Sequence, residues 1–117
     1  RVASRVATPP FDLAFSRLGW WSANRVAWAG TAETPRALAE LVVGLQCGLR
    51  ELDFKFDERK FMPHVTLLRH ASCPQGLVEA ATVRWQVADF VLMRSVLRSD
   101  GPHYRTLGRW PLLNPTQ

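Results

Sequence analysis

The sequence predicts one α+β domain, in which a mostly antiparallel β-sheet packs against one long helix. The chain has 117 residues, a usual length for one domain and too few for two ordinary ones. Apolar residues make up 47% and charged residues 21%, which is typical of globular proteins and excludes collagen, low-complexity disorder and coiled coils. The predicted elements follow the order β, β, α, β, β, β, so strands dominate the domain.

The N-terminal part of the chain is predicted to form two paired strands. Residues 1–8 are typical of the end of a helix, which the two following prolines terminate. Apolar and polar residues alternate over 11–16, the period of a half-buried strand. Gly19 and residues 22–24 indicate a turn, and a second strand follows at 25–29. The two strands are expected to pair as a hairpin.

The long helix is predicted over 35–51. Thr34 and Pro35 are residue types that favour the start of a helix. Apolar residues follow at helical spacing and form one stripe along the helix. Gly44 and Gly48 weaken the helix by about 1 kcal/mol each relative to alanine, so packing must stabilise it. Their spacing of four residues suggests a close approach to the sheet.

The C-terminal part is predicted to consist of strands separated by turns. Alternation along the longest strand changes face near Ala88–Asp89, which suggests a bulge or bend. The tail at 114–117 is expected to fray. The other predicted features are a loop at 53–60, a strand at 61–70, a break at 72–76, a short helical turn at 77–81, a strand at 83–97, a turn at 99–102 and a strand at 103–112.

Charge and cysteine content narrow the functional classes. Fifteen basic residues against ten acidic ones give a net charge of +5, which suggests an anionic partner such as phosphate or nucleic acid. No apolar run approaches the 18 residues of a membrane span. Cys47 and Cys73 form no C-x-x-C motif, so a zinc site and a disulfide framework are not expected. These features, with no signal-peptide pattern at Arg1, predict a cytoplasmic protein.

The sharpest local pattern is His64-Val65-Thr66 within the predicted strand at 61–70. Alternate side chains of a strand share a face, so His64 and Thr66 are expected about 7 Å apart on one side. Val65 and Leu67 then point to the other side, into the core against the helix. Histidine transfers protons near neutral pH, and threonine can donate a hydrogen bond to a phosphate oxygen. The competing interpretation is an incidental polar face, because three-residue patterns occur by chance.

The sequence around this motif resembles the second signature of the two-histidine (2H) phosphoesterases. The branch it resembles is the RNA 2′,3′-cyclic phosphodiesterases, also called 2′-5′ RNA ligases. The resemblance covers residues 9–112, and familiar residues recur in the closing hairpin. The positions that match the signature are Phe61, Pro63, His64, Thr66, Leu67 and Arg69, and those in the closing hairpin are Ser95, Gly101, Tyr104 and Leu112.

This resemblance implies a bilobal fold with one H-x-T motif in each lobe and a reaction that uses neither metal nor cofactor. One histidine protonates the leaving ribose oxygen and the other activates water, while the threonines bind the phosphate. His64 corresponds to the proton acceptor and Thr66 to its phosphate-binding partner. The implied substrate is RNA or a nucleotide with a 2′,3′-cyclic phosphate, and the product a 2′-phosphomonoester, with reversible 2′-5′ ligation as a further activity. The full-length protein is expected to be a monomer.

The chain departs from the family pattern because it has only one H-x-T motif. His70 lies about 20 Å further along the predicted strand, and His103 belongs to a different tripeptide. Since the chain also begins with Arg1 rather than methionine, we expect an N-terminally truncated member that is inactive or very weak alone. Turnover by this chain that depends on His64 would contradict that expectation.

Three further residues are candidates for substrate binding. Arg69 is either a phosphate ligand or a surface arginine. Phe61 either stacks on a base or packs in the core. Tyr104 either forms a hydrogen bond at the cleft or packs in the core. Asp57–Glu58 is a poor metal site because two adjacent carboxylates do not surround a cation.

Two alternatives to the enzyme stay open at this point. A non-catalytic RNA- or nucleotide-binding remnant predicts binding that survives His64→Ala. Self-association through an exposed sheet edge would bring two copies of His64 together.

Overall fold

Two antiparallel sheets and two helices form the part of the chain that the structure describes, residues 1–56, 60–73 and 82–113 of a computed structural model. The prediction of an α+β fold is confirmed. The elements are α1 (Val2–Arg5), β1 (Phe11–Trp21), β2 (Val26–Thr31), α2 (Arg36–Glu51), β3 (His64–Leu68), β4 (Val83–Val87), β5 (Asp89–Arg98) and β6 (Gly101–Pro111). Four strands form one sheet in the order β3-β2-β1-β4, and β5 pairs with β6 in the second.

Strand β1 is longer than the sequence predicted, and the turn predicted at Gly19 is wrong. Gly19 is paired with Trp28 of β2, and the strand continues to Trp21. A side chain at position 19 would collide with the Trp28 indole. Gly19 therefore allows close packing inside a strand, where glycine is found as well as in turns.

Replacing Gly19 with alanine is expected to destabilise the protein by about 1–3 kcal/mol, because the new Cβ overlaps the Trp28 ring. Urea unfolding followed by tryptophan fluorescence measures the change. Gly44→Ala is the matched control, since a Cβ there lies 3.7 Å from Val6, an ordinary contact. That control gains helix propensity and is expected to be neutral or stabilising by up to about 1 kcal/mol. Equal effects of the two substitutions would contradict the packing argument.

The long helix α2 forms where the sequence predicted it. Its buried Leu38 and Leu41 form a core cluster with Leu13 of β1, Val87 of β4 and Leu112. These residues place the core over the β1–β4 side of the sheet. The helix thus covers only one half of the four-stranded sheet.

The two helix glycines contact the N-terminal segment rather than the sheet, so the expected approach to the sheet is wrong. The position of a Cβ at Gly48 lies 2.5 Å from Val2 Cγ1, and that at Gly44 faces Val6. The small residues of α2 therefore provide the groove in which α1 and the following residue pack.

Strand β3 lies at the sheet edge opposite β4, and it is shorter than the predicted strand at 61–70. Val65 and Leu67 are 42% and 56% exposed, so the prediction that they enter the core is wrong. The buried core cluster comes from α2, β1 and β4 with Leu112, and it includes no residue of the edge strand β3. The strand ends at Leu68, and the chain turns through His70, whose φ is 56°.

The single strand predicted at 83–97 is divided at Ala88, where a bulge or bend was expected: β4 ends at Val87, and β5 begins at Asp89 in the other sheet. The amide of Leu112 donates to the Ala88 carbonyl at 2.8 Å, which fastens the base of the β5–β6 hairpin to the core. Gly101 and Pro102, predicted as turn residues, begin β6 instead. The predicted helical turn at 77–81 and the tail at 114–117 lie outside the described residues.

Candidate active site

The register of the four-stranded sheet places His64 and Thr66 on the same face. His64 is paired with Gly30 and Thr66 with Trp28, and directly paired residues of antiparallel strands share a face. Both side chains are exposed. The H-x-T motif therefore presents its two functional side chains together on a rigid edge strand, with solvent access.

Two tryptophans form the floor beside His64. Trp28 lies between Gly19 and Gly30, neither of which has a side chain to displace it. The Trp21 ring packs against Trp28 with 5.2 Å between centroids. Trp21 also makes an edge contact with the imidazole of His64, with 4.7 Å between centroids and an interplanar angle of 75°. The imidazole therefore lies against a rigid aromatic surface.

The hydrogen bond of His64 determines which ring nitrogen carries the hydrogen in the neutral imidazole. Nδ1 lies 2.9 Å from the carbonyl oxygen of Met62, and a carbonyl can only accept a hydrogen bond. Nδ1 therefore carries the hydrogen, and in the neutral ring Nε2 has a free lone pair. No hydrogen bond to Nε2 occurs within the described residues. This is the tautomer that a proton acceptor requires.

An open depression of about 850 Å³ lies around His64 at the β1–β2 turn. Phe61, which is 45% exposed, lines it together with His64. Lys60 adds a cationic side chain. Among the described residues the lining is Trp20, Trp21, Ser22, Ala23, Asn24, Gln46, Lys60, Phe61, Met62 and His64.

The other candidate residues lie outside this lining. Thr66 is two residues further along β3, and Arg69 follows the end of the strand in an exposed bend. The pairing of β3 with β2 has an irregularity at Leu67, between Thr66 and Leu68. Regular alternation along the strand would put Arg69 on the face opposite His64, and a bulge between them shifts that alternation. Tyr104 lies on β6 opposite Ser95 and is 58% exposed, in the second sheet.

Neither a metal centre nor a membrane helix is found in the described part of the chain. No group of three or more histidine, cysteine, aspartate or glutamate side chains is arranged to hold a cation there. Neither of the two helices in the described residues is long and apolar enough to cross a membrane. Cys47 and Cys73 are exposed, and neither forms a disulfide within the described residues. Asp57–Glu58 lies outside the described residues.

The sequence did not identify Trp21 or the Met62 carbonyl as parts of this site. Trp21 was assigned to a turn, whereas it ends β1 and reaches His64 across the sheet. That contact depends on the register of three strands, which no local pattern specifies. The Met62 carbonyl is a backbone group that every residue has, so the residue type at position 62 could not predict its role.

Comparison with known proteins agrees with this fold. The family model described as LigT like Phosphoesterase matches residues 30–104. The RNA 2′,3′-cyclic phosphodiesterase of Escherichia coli K12 is 33% identical over 118 residues, which cover 95% of this chain and 64% of the relative. The crystal structure of E. coli LigT in apo form superposes with a TM-score of 0.86 at 31% identity, over 97% of this chain and 64% of that one. Its complex with 3′-AMP gives a TM-score of 0.79 at 31% identity, over 95% and 64%.

The chain belongs to the family of LigT-like phosphoesterases, within the two-histidine class that the H-x-T motif indicated. It spans about 64% of the length of the E. coli relative.

Proposed function

We propose that the intact gene product that carries this chain is an RNA 2′,3′-cyclic phosphodiesterase, and that His64 is its general base. The observation that supports this most is the tautomer of His64: its Nδ1–H donates to the Met62 carbonyl, which leaves Nε2 to accept a proton, and Thr66 lies on the same face of the sheet. The name of the E. coli relative supports the choice of a 2′,3′-cyclic phosphate as substrate. The basic net charge suits an anionic RNA end.

In the proposed step, Nε2 of His64 takes a proton from a water molecule as its oxygen attacks phosphorus. The bond between phosphorus and the 3′-oxygen breaks, and the phosphate stays on the 2′-oxygen as a monoester. The hydroxyl of Thr66 donates to a non-bridging phosphate oxygen, whose charge grows in the transition state. Positioned acid–base groups contribute about 10²- to 10⁴-fold each in such reactions.

The leaving 3′-oxygen needs a proton from a second group on the opposite side of phosphorus. His70 and His103, the other histidines of residues 1–117, do not line the depression. We assign this role to the histidine of the first H-x-T motif that the family resemblance implies outside residues 1–117. On this proposal the chain alone has little or no turnover. Ligation is the same step with the 5′-hydroxyl of another RNA in place of water. That oxygen attacks phosphorus and gives its proton to Nε2, the bond to the 3′-oxygen breaks, and a 2′-5′ phosphodiester results.

A short RNA with a 2′,3′-cyclic phosphate end tests the proposed function directly. The intact gene product is expected to convert it to a 2′-phosphomonoester, with equal rates in EDTA and in added Mg²⁺. RNA bound without conversion would instead support a non-catalytic binding protein. A 3′-phosphomonoester would contradict the assignment of the broken bond, and loss of activity in EDTA would contradict metal independence.

Trp21 is expected to position His64 rather than to contact the phosphate. Trp21→Leu removes the ring edge contact of 4.7 Å, worth about 0.5–1.5 kcal/mol, so kcat should fall roughly 2- to 10-fold with little change in KM. Trp21→Phe keeps an aromatic surface and is expected to restore most of kcat. Steady-state kinetics on a cyclic mononucleotide measures both. An increase in KM alone would instead indicate direct substrate binding.

A further inference from the structure

The β5–β6 hairpin carries unlike side chains on its two faces. Alternation along β5 places Arg94 and Arg98 on one face, and the pairing of Arg94 with Arg105 adds a third arginine from β6. The opposite face carries Met93 and Leu97 and, near the base of the hairpin, the ion pair of Arg109 with Asp89. We call the three arginines, all of which are exposed, the arginine face.

The arginine face is electrostatically unfavourable in the protein alone. Arg94 and Arg105 lie directly opposite each other, and like charges in this position destabilise a strand pair. None of the three arginines forms an ion pair or hydrogen bond within residues 1–56, 60–73 and 82–113. An anion placed between them would remove the repulsion.

A fourth arginine of the same hairpin provides the contrast. Arg109 lies on the opposite face and is ion-paired with Asp89 at 2.7 Å. The carboxylate of Asp100, at the turn, is bound by His103 at 2.7 Å. His103 is paired with Val96 and so lies on the arginine face, but neither Asp100 nor Asp89 forms an ion pair with Arg94, Arg98 or Arg105 within the described residues.

We infer that the arginine face binds the phosphodiester backbone of single-stranded RNA. Arg94 and Arg98 extend about 13 Å along β5, long enough to contact more than one phosphate. Arginine is well suited to phosphate because its planar fork donates two parallel hydrogen bonds. The identity of the polyanion as RNA rests on the proposed function, whereas binding through these arginines does not require the reaction at His64.

This surface is distinct from the depression around His64, because the arginines lie on the second sheet and line none of it. The arginine face would hold the RNA segment that leads to the cyclic phosphate end, so an RNA should bind more tightly than a cyclic mononucleotide. Binding through phosphates carries little base preference and depends steeply on salt.

Fluorescence anisotropy with labelled single-stranded RNA of about ten nucleotides and a 3′-hydroxyl end tests the inference. The intact gene product is compared with the triple variant Arg94→Gln, Arg98→Gln and Arg105→Gln over a salt series. A second triple variant, Arg17→Gln, Arg36→Gln and Arg109→Gln, removes the same charge from exposed positions outside the arginine face. Circular dichroism melting confirms that each variant folds.

Loss of the arginine face is expected to weaken binding about 10-fold or more at low salt. The slope of log affinity against log salt should fall by about two, since each phosphate contact with a single strand contributes about 0.7. The control triple variant should change affinity less than about 2-fold.

Equal weakening in both variants would overturn the inference, because it would show a general charge effect. No binding of RNA by the wild type, or binding only to vesicles of anionic lipid, would also overturn it. RNA binding through this face together with no hydrolysis of a 2′,3′-cyclic end would contradict the proposed function alone.

Discussion

Replacing His64 with glutamine is expected to lower the turnover of a 2′,3′-cyclic phosphate by about 10²- to 10⁴-fold in the intact gene product. Glutamine keeps a polar side chain of similar reach and cannot accept and release a proton as imidazole does. Because His64 is exposed at the open depression, the substitution removes the base with little change in packing. The expected effect is a fall in kcat, measured by steady-state kinetics.

The matched control is His70→Asn. His70 lies just beyond β3 with φ at 56°, a backbone conformation that asparagine adopts readily, and it does not line the depression. The control should keep turnover within about 2-fold of wild type. Equal losses of turnover in the two variants would contradict the assignment of His64 as the base. A His64→Gln variant that remains fully active would contradict it as well.

Replacing Thr66 with valine is the second substitution with a large expected effect. Valine keeps the branched shape that suits a strand and loses only the hydroxyl. A hydrogen bond to a charged group contributes about 1.5–3 kcal/mol, so kcat/KM should fall roughly 10- to 100-fold. Inorganic phosphate, tested as a competitive inhibitor, should bind more weakly to the same variant.

Thr31→Val on the neighbouring strand provides the control for this substitution. The Thr31 hydroxyl is buried and has no hydrogen-bond partner within the described residues. Its removal should leave turnover unchanged and stability equal or higher, since a buried hydroxyl without a partner is costly. If Thr66→Val retained wild-type kcat/KM and phosphate affinity, Thr66 would have no part in binding the phosphate.

Local patterns were sufficient to predict several elements of this fold. Helix α2 was predictable because its leucines recur with a helical period, and the buried Leu38 and Leu41 confirm the apolar stripe. A change in alternation predicted an irregularity near Ala88, where the structure divides the predicted strand into β4 and β5. The H-x-T motif was likewise visible, and the sheet register places its two side chains on one face.

Features that depend on distant contacts were not predictable from local patterns. Gly19 suggested a turn because its packing partner, Trp28, lies on another strand. Alternation placed Val65 on the face opposite His64 but could not show that α2 leaves the β3 edge uncovered. The contact between Trp21 and His64 requires β1, β2 and β3 in register at once. Each of these features is set by tertiary packing.

Hydrolysis in H₂¹⁸O tests the central claim most directly, because it reports which atom attacks phosphorus and whether His64 is needed. The intact gene product is mixed with an RNA that ends in a 2′,3′-cyclic phosphate, and the product is analysed by mass spectrometry. We expect one ¹⁸O atom in a 2′-phosphomonoester from the wild type, and almost no labelled product from His64→Gln in the same time. Labelled product formed equally fast by both proteins, or no labelled product from the wild type, would contradict the account.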